Sequence, residues 1–133
     1  MDAEARSSLP APDAGLKGGQ NTAHYTAAKH GIVGLMRTLA LELAPDMIRV
    51  NSVHPTTVDT DMVQNDAIYR LFRPDLEAPA REDVEEIMKG MHVLDRGWVE
   101  LDDVSNAVMF LASEDARFVT GVALPVDAGA LIR

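Results

Sequence analysis

The chain has 133 residues, 47% of them hydrophobic, and a formal net charge of −9. That is enough for the core of one ordinary domain, and the acidity argues against general affinity for nucleic acid or anionic membrane, which want clustered Lys and Arg. No cysteine is present, so disulfides, thiolate nucleophiles and cysteine-based zinc sites are excluded.

Residues 1–20 are expected to form an irregular segment, because Ser7-Ser-Leu-Pro-Ala-Pro-Asp13 and Gly15, Gly18 and Gly19 interrupt any periodicity. The amino terminus lacks the apolar stretch of a signal peptide, and no run reaches the roughly 18 apolar residues of a membrane span. A cytoplasmic setting is the expectation.

A long helix is predicted over 22–43. Ala27, Ala28, Ile32, Val33, Leu35, Met36, Leu39, Ala40 and Leu43 cover more than one stripe of it, and Pro45 stops it. Apolar surface on two sides suggests that the helix meets a second subunit. At its head stands Tyr25-Thr-Ala-Ala-Lys29. Residues four apart share a helix face, and a cation held near a phenol favours the phenolate. Such a pair can exchange a proton with an alcohol near neutrality. Taken alone, however, Tyr and Lys at this spacing usually decorate a solvated face.

Ile48-Arg-Val-Asn-Ser-Val53 is short and rich in β-branched residues, which predicts a buried strand. An excursion follows from Pro55 to Gly97, with short helices expected over 65–72 and 82–91. Leu101-Asp-Asp-Val104 opens a further helix with its acids at the positive end of the dipole, and Ser113 is expected to end it and cap a short turn. Val122-Ala-Leu-Pro-Val126 closes the series as a strand whose Pro125 suggests interrupted pairing or an edge. Helix, strand, excursion, helix and strand in this order is the pattern of parallel α/β crossovers.

Among the remaining polar residues, Asp59, Asp61 and Asp66 lack the spacing of a calcium loop and read as solvated loop acids. The four histidines do not form a metal site by spacing, since His24 and His30 fall on roughly opposite helix faces. No metal is expected. Arg49, Arg70, Arg73 and Arg81 share no helical or strand period, so a phosphate clamp finds no support. Tyr69, Phe72 and Trp98, with Met62 and Met91, could form an apolar lid over a hydrophobic alcohol or pack the excursion onto the sheet.

Three ordered motifs carry a resemblance. Asn21-Thr-Ala-His-Tyr-Thr-Ala-Ala-Lys-His-Gly-Ile-Val-Gly-Leu35, Ile48-Arg-Val-Asn-Ser-Val-His-Pro55 and Val119-Thr-Gly-Val-Ala-Leu-Pro-Val-Asp-Ala-Gly129 together resemble the C-terminal half of a short-chain dehydrogenase/reductase. His24-Tyr25, Lys29-His30, His54-Pro-Thr-Thr57 and Ala67-Ile-Tyr-Arg-Leu-Phe-Arg-Pro-Asp-Leu76 resemble its mycofactocin-coupled, carveol-dehydrogenase-like branch.

The resemblance implies an α/β fold that is the C-terminal portion of a Rossmann-like parallel sheet over residues 21–133. It implies NAD as cofactor and a small hydrophobic secondary alcohol or ketone as substrate. Tyr25 would be the proton acceptor or donor, and Lys29 would hold the ribose and tune the tyrosine. Pro55, Val58 and Thr60 would line the nicotinamide end, with Thr56 standing where the family usually has glycine.

Two departures stand out. The glycine-rich phosphate turn of the first βαβ unit is missing from the sequence. The family's serine, about a dozen residues before the tyrosine, would donate a hydrogen bond to the reacting oxygen, but Ala11 and Pro12 occupy those places and Ser7 and Ser8 lie too early. The expectation is therefore of a truncated chain whose first dozen residues are foreign to the ancestral fold. A competing reading is a non-catalytic interaction module that docks on a full-length paralogue through the helix at 22–43.

Overall fold

The computed structural model describes residues 15–133, in which four helices surround a two-stranded parallel sheet. Helix α1 runs Ala23–Glu42 and ends at Leu43, whose N–H donates to the Leu39 carbonyl. Pro45 lies in the 3-10 turn Ala44–Asp46 that follows, and Met47 then takes a left-handed φ of 58°. Only Val33, Met36 and Ala40 are buried, a single stripe at helical spacing. The apolar residues of the other side stand open, Leu35 at 59% and Leu41 at 79% exposure.

Strand β1, Ser52–Pro55, pairs in parallel with β2, Ala123–Val126, with Ser52 opposite Ala123 and Pro55 opposite Val126. The strand predicted from Ile48 thus begins four residues later. Around residues 50–51, side chains take part of the hydrogen bonding that a ladder would use. Val50 N–H donates to Thr120 Oγ1, and the Asn51 amide bridges Val119 O and Val122 N. Val50 O still accepts from Gly121 N at 2.7 Å, but the regular register begins with Ser52 opposite Ala123.

On β2, the carbonyls of Val122 and Val126 accept from Ser52 and Thr56. Because N–H and C=O of one residue point to the same side in a parallel strand, Pro125 turns its missing donor away from β1. The pairing with β1 therefore runs through Pro125 without interruption.

A parallel pair needs a crossover, and helix α4, Leu101–Ala112, provides it by packing on both strands. The Arg49 guanidinium donates to the carbonyls of Leu111 and Ser113 at the C-terminal end of α4, where the dipole favours a cation. Ser113 accepts from Asp115 N and caps the short turn Glu114–Ala116, as its position suggested.

The excursion carries α2, Asp66–Phe72, capped by Asn65, and α3, Arg81–Lys89. Val84, Met88 and Trp98 form its core, with Val63, Tyr69 and Phe72 packed around them.

Candidate active site

Beyond β1 the backbone is held on both sides. Thr56 N donates to Val126 O, Val99 N to Thr57 O, and Asp59 N to Val99 O, so residues 56–59 continue as an ordered rail between β2 and the segment before α4. The N-terminal half of α1 faces this rail across a cavity of about 920 Å³.

Tyr25 and Lys29 line the cavity from the helix, and Pro55, Val58 and Thr60 line it from the rail. All five residues singled out in the sequence therefore meet in one space. The Lys29 ammonium lies 5.3 Å from the Tyr25 ring centre, within range of a cation–π attraction. Thr60 Oγ1 stands 3.5 Å from Val58 O, the far limit of a hydrogen bond, so its hydroxyl stays available to a ligand. Residues 1–14, including Ser7, Ser8, Ala11 and Pro12, lie outside the described residues.

The far wall is apolar, built by Met62, Val63, Ile68, Phe72, Met88 and Met91. The excursion's large side chains divide between its core and the cavity wall. Tyr69 and Trp98 pack its core, Phe72 does so while also facing the cavity, and Met62 and Met91 belong to the cavity wall. Lys17 closes one end, its ammonium donating to Ala130 O at 3.2 Å.

Several contacts carry no periodic signal and escape a sequence reading. His54, on β1, is 8% exposed beneath the cavity floor, 2.8 Å from Ser52 Oγ. Burial, and next the nearby Lys29 ammonium, hold its pKa below the ordinary 6.5, which favours the neutral ring. Gly15 lies against this pair. A Cβ there would come within 3.0 Å of Lys29 O and 3.1 Å of the His54 ring, so a glycine lets the N-terminal loop approach the helix.

Asp59 corrects the reading of a solvated loop acid. Its carboxylate receives both arms of Arg81, at 3.0 and 2.7 Å, and the Gln64 amide at 2.7 Å, while Tyr69 donates to Gln64 Oε1 at 2.6 Å. The Arg81 guanidinium also stacks 4.6 Å over Trp98. Hydrogen bonds from Arg81, the largest influence, hold the Asp59 carboxyl below its ordinary 3.8. The network ties the rail to α2 and α3 and so fixes the apolar wall against the polar one.

A largely apolar cavity at the carboxyl end of a parallel strand in an α/β fold is where ligands bind in open sheets of this kind. The chain belongs to the short-chain dehydrogenase/reductase family. A sequence profile described as enoyl-(acyl carrier protein) reductase matches residues 11–130. The chain is 58% identical over 125 residues to (−)-trans-carveol dehydrogenase of Rhodococcus erythropolis, covering 94% of this chain and 45% of that protein. It is 56% identical over 119 residues to a putative short-chain type dehydrogenase/reductase of Mycolicibacterium smegmatis, covering 90% of this chain and 43% of the relative.

Among solved structures, carveol dehydrogenase from Mycobacterium avium in complex with NAD superposes with a TM-score of 0.86 at 58% identity, over 90% of this chain and 43% of that one. The chain thus spans less than half the length of these relatives. The Rossmann-like α/β class expected from the sequence is the class found. No helix among the described residues is long and apolar enough to cross a membrane.

Proposed function

We propose that this chain forms the catalytic, substrate-facing part of an NAD-dependent alcohol dehydrogenase or ketone reductase acting on a hydrophobic secondary alcohol. The observation that carries the reading is the meeting of Tyr25 and Lys29 with the 55–60 rail and an apolar wall around one cavity. The donors present suit the nicotinamide-ribose end of the cofactor: an ammonium and a phenol for ribose hydroxyls, and the Thr60 hydroxyl on the rail. Among the described residues they do not include a glycine-rich turn for the pyrophosphate, which in this fold class lies in the first βαβ unit.

Bound NAD would supply the hydride acceptor or donor. The rest is work for this chain's side chains. Tyr25 takes the hydroxyl proton of the alcohol as its carbon is oxidised and returns it in the reverse direction. Lys29 favours negative charge on the phenol oxygen during that transfer and holds the ribose. Pro55, Val58 and Thr60 border the nicotinamide, while Ile68, Phe72 and the three methionines exclude water and receive a hydrocarbon skeleton.

The names of the relatives make carveol the first alcohol to test. The motifs quoted above and 58% identity to a carveol dehydrogenase support the mycofactocin-coupled branch, and a cysteine-free chain suits the cytoplasm. Titration calorimetry of the 133-residue chain with NADH should give heat that Lys29→Ala abolishes. Carveol oxidation should fall by about 10²–10⁴ in Tyr25→Phe, the usual contribution of a general acid or base.

A second reading rests on α1, whose Ile32, Leu35 and Leu41 are 49%, 59% and 79% exposed. Such a face suits self-association or docking on a longer paralogue. A stable dimer with no heat from NADH would favour that interaction module and sink the enzyme.

A further inference from the structure

His92 belongs to no catalytic pair, yet it is 1% exposed and its ring is fully engaged. Nδ1 lies 2.6 Å from the carbonyl of Arg96, and Nε2 lies 2.8 Å from Thr56 Oγ1. A carbonyl can only accept, so Nδ1 carries the proton. In the neutral ring, Nε2 is then left as an acceptor for the Thr56 hydroxyl.

The backbone around this ring is equally committed. His92 O accepts from the Arg133 guanidinium, and Val93 N and Leu94 N both donate to Ala128 O at 2.9 and 3.0 Å. Gly129, at φ 84°, would place a Cβ 2.8 Å from Val93 Cβ, so the chain after β2 lies hard against this segment. Residue 92 is therefore a fixed point, set by the end of α3 and the turn after β2. Thr56, 4% exposed, is the first residue of the rail.

We infer that His92 is a positioning residue: through its hydrogen bond to Thr56 it sets where the 56–60 rail leaves β1, and hence where the cavity wall stands. Its bearing on cofactor binding rests on the reading given under Proposed function, which places the nicotinamide against that wall. The clamp itself is a statement about geometry and can be tested without any ligand.

The side chains offer a graded set of changes. Thr56→Val keeps the shape and removes the hydroxyl, and Thr56→Ser restores it. His92→Asn can still donate to Arg96 O but is too short to reach Thr56, whereas the longer His92→Gln can reach the hydroxyl. A merely space-filling role would not rank these variants by hydroxyl contact.

The experiment uses the 15N-labelled 133-residue chain. Long-range proton–nitrogen correlation reads the His92 tautomer, and amide exchange is followed at Asp59, with Leu111 in α4 as internal reference. The expected results are a ring protonated on Nδ1 and exchange at Asp59 faster by roughly tenfold in Thr56→Val, the scale of one buried hydrogen bond. Thr56→Ser should restore the wild-type rate, and His92→Asn should exceed His92→Gln.

An Nε2-protonated ring, or exchange at Asp59 that rises no more than at Leu111, would overturn the inference. If Thr56→Val does not fold, the His92→Asn against His92→Gln comparison decides the same question. NADH titrations on the same samples separate the two claims. Wild-type chain that shows the clamp and binds no NADH sinks the dehydrogenase reading alone, while NADH affinity that is equal in Thr56→Val and wild type limits the clamp to architecture and overturns its role at the site.

Discussion

The excursion between the strands and the long helix α1 are both rich in apolar residues, yet they use them in opposite ways. In the excursion Val84, Met88 and Trp98 are 0%, 2% and 6% exposed, closed among themselves within one stretch of chain. In α1 a narrow stripe is buried and large side chains on the other side are open. The short helices close on a core of their own, although Met62 and Leu94 in the same stretch are 82% and 62% exposed, whereas the long helix buries only a stripe. Isolated helical stability comes mostly from packing of an apolar face, so α1 is the element whose surroundings decide its behaviour, while the cavity wall opposite it rests on the Val84, Met88 and Trp98 core.

Met88→Ala is the strongest way to break that contrast. Met88 fills the excursion core and also faces the cavity, and truncating a buried methionine costs about 2–5 kcal/mol. Urea unfolding should register that loss. A change within about 0.5 kcal/mol, the scale of ordinary surface substitutions, would show that the excursion does not rest on that core.

The ion pair that joins the excursion to the rail comes next in size. Asp59→Asn keeps the shape but loses the charge that receives Arg81, and a partly exposed pair of this kind contributes on the order of 1 kcal/mol. The pH dependence has a definite sign. The folded carboxyl sits below its ordinary 3.8, so the contribution is fully present above about pH 4 and is lost as pH falls from there through the folded value. Acid titration of stability should therefore be shallower in Asp59→Asn than in the wild type over that range, and identical slopes would remove Asp59 from the account.

The same contrast explains what could be read from the sequence. Helices were legible because their signals are local: Asn65 caps α2, Pro45 follows the end of α1, and Ser113 ends α4 and caps the next turn. Tyr25 and Lys29 drew notice in the sequence because they sit one turn apart, and Pro55, Val58 and Thr60 through the family resemblance; the fold brings all five to the lining of one cavity. The start of β1 was misplaced because Asn51 and Thr120, 69 positions apart in the chain, satisfy part of the backbone there with side chains, and no periodicity records that. Asp59 with Arg81, Thr56 with His92, and Gly15 with Lys29 and His54 share this character. Each is a contact between distant residues whose own neighbourhoods look like ordinary loop, so only the folded chain reveals them.

Leu35→Lys should have the smallest effect on the isolated chain and the most to say about α1. Leu35 is 59% exposed, so its replacement should alter monomer stability by no more than about 0.5 kcal/mol. If the open face of α1 meets a second copy, the added ammonium would be buried in that contact without a partner, a penalty of several kcal/mol. Sedimentation velocity should then show the wild-type chain associating and Leu35→Lys monomeric, with urea midpoints that differ only where the wild type is dimeric. A variant that associates as well as the wild type would mean that the exposed leucines of α1 are not the contact. A variant that loses several kcal/mol as a monomer would mean that α1 is already covered by its own chain, and the contrast with the excursion would fall.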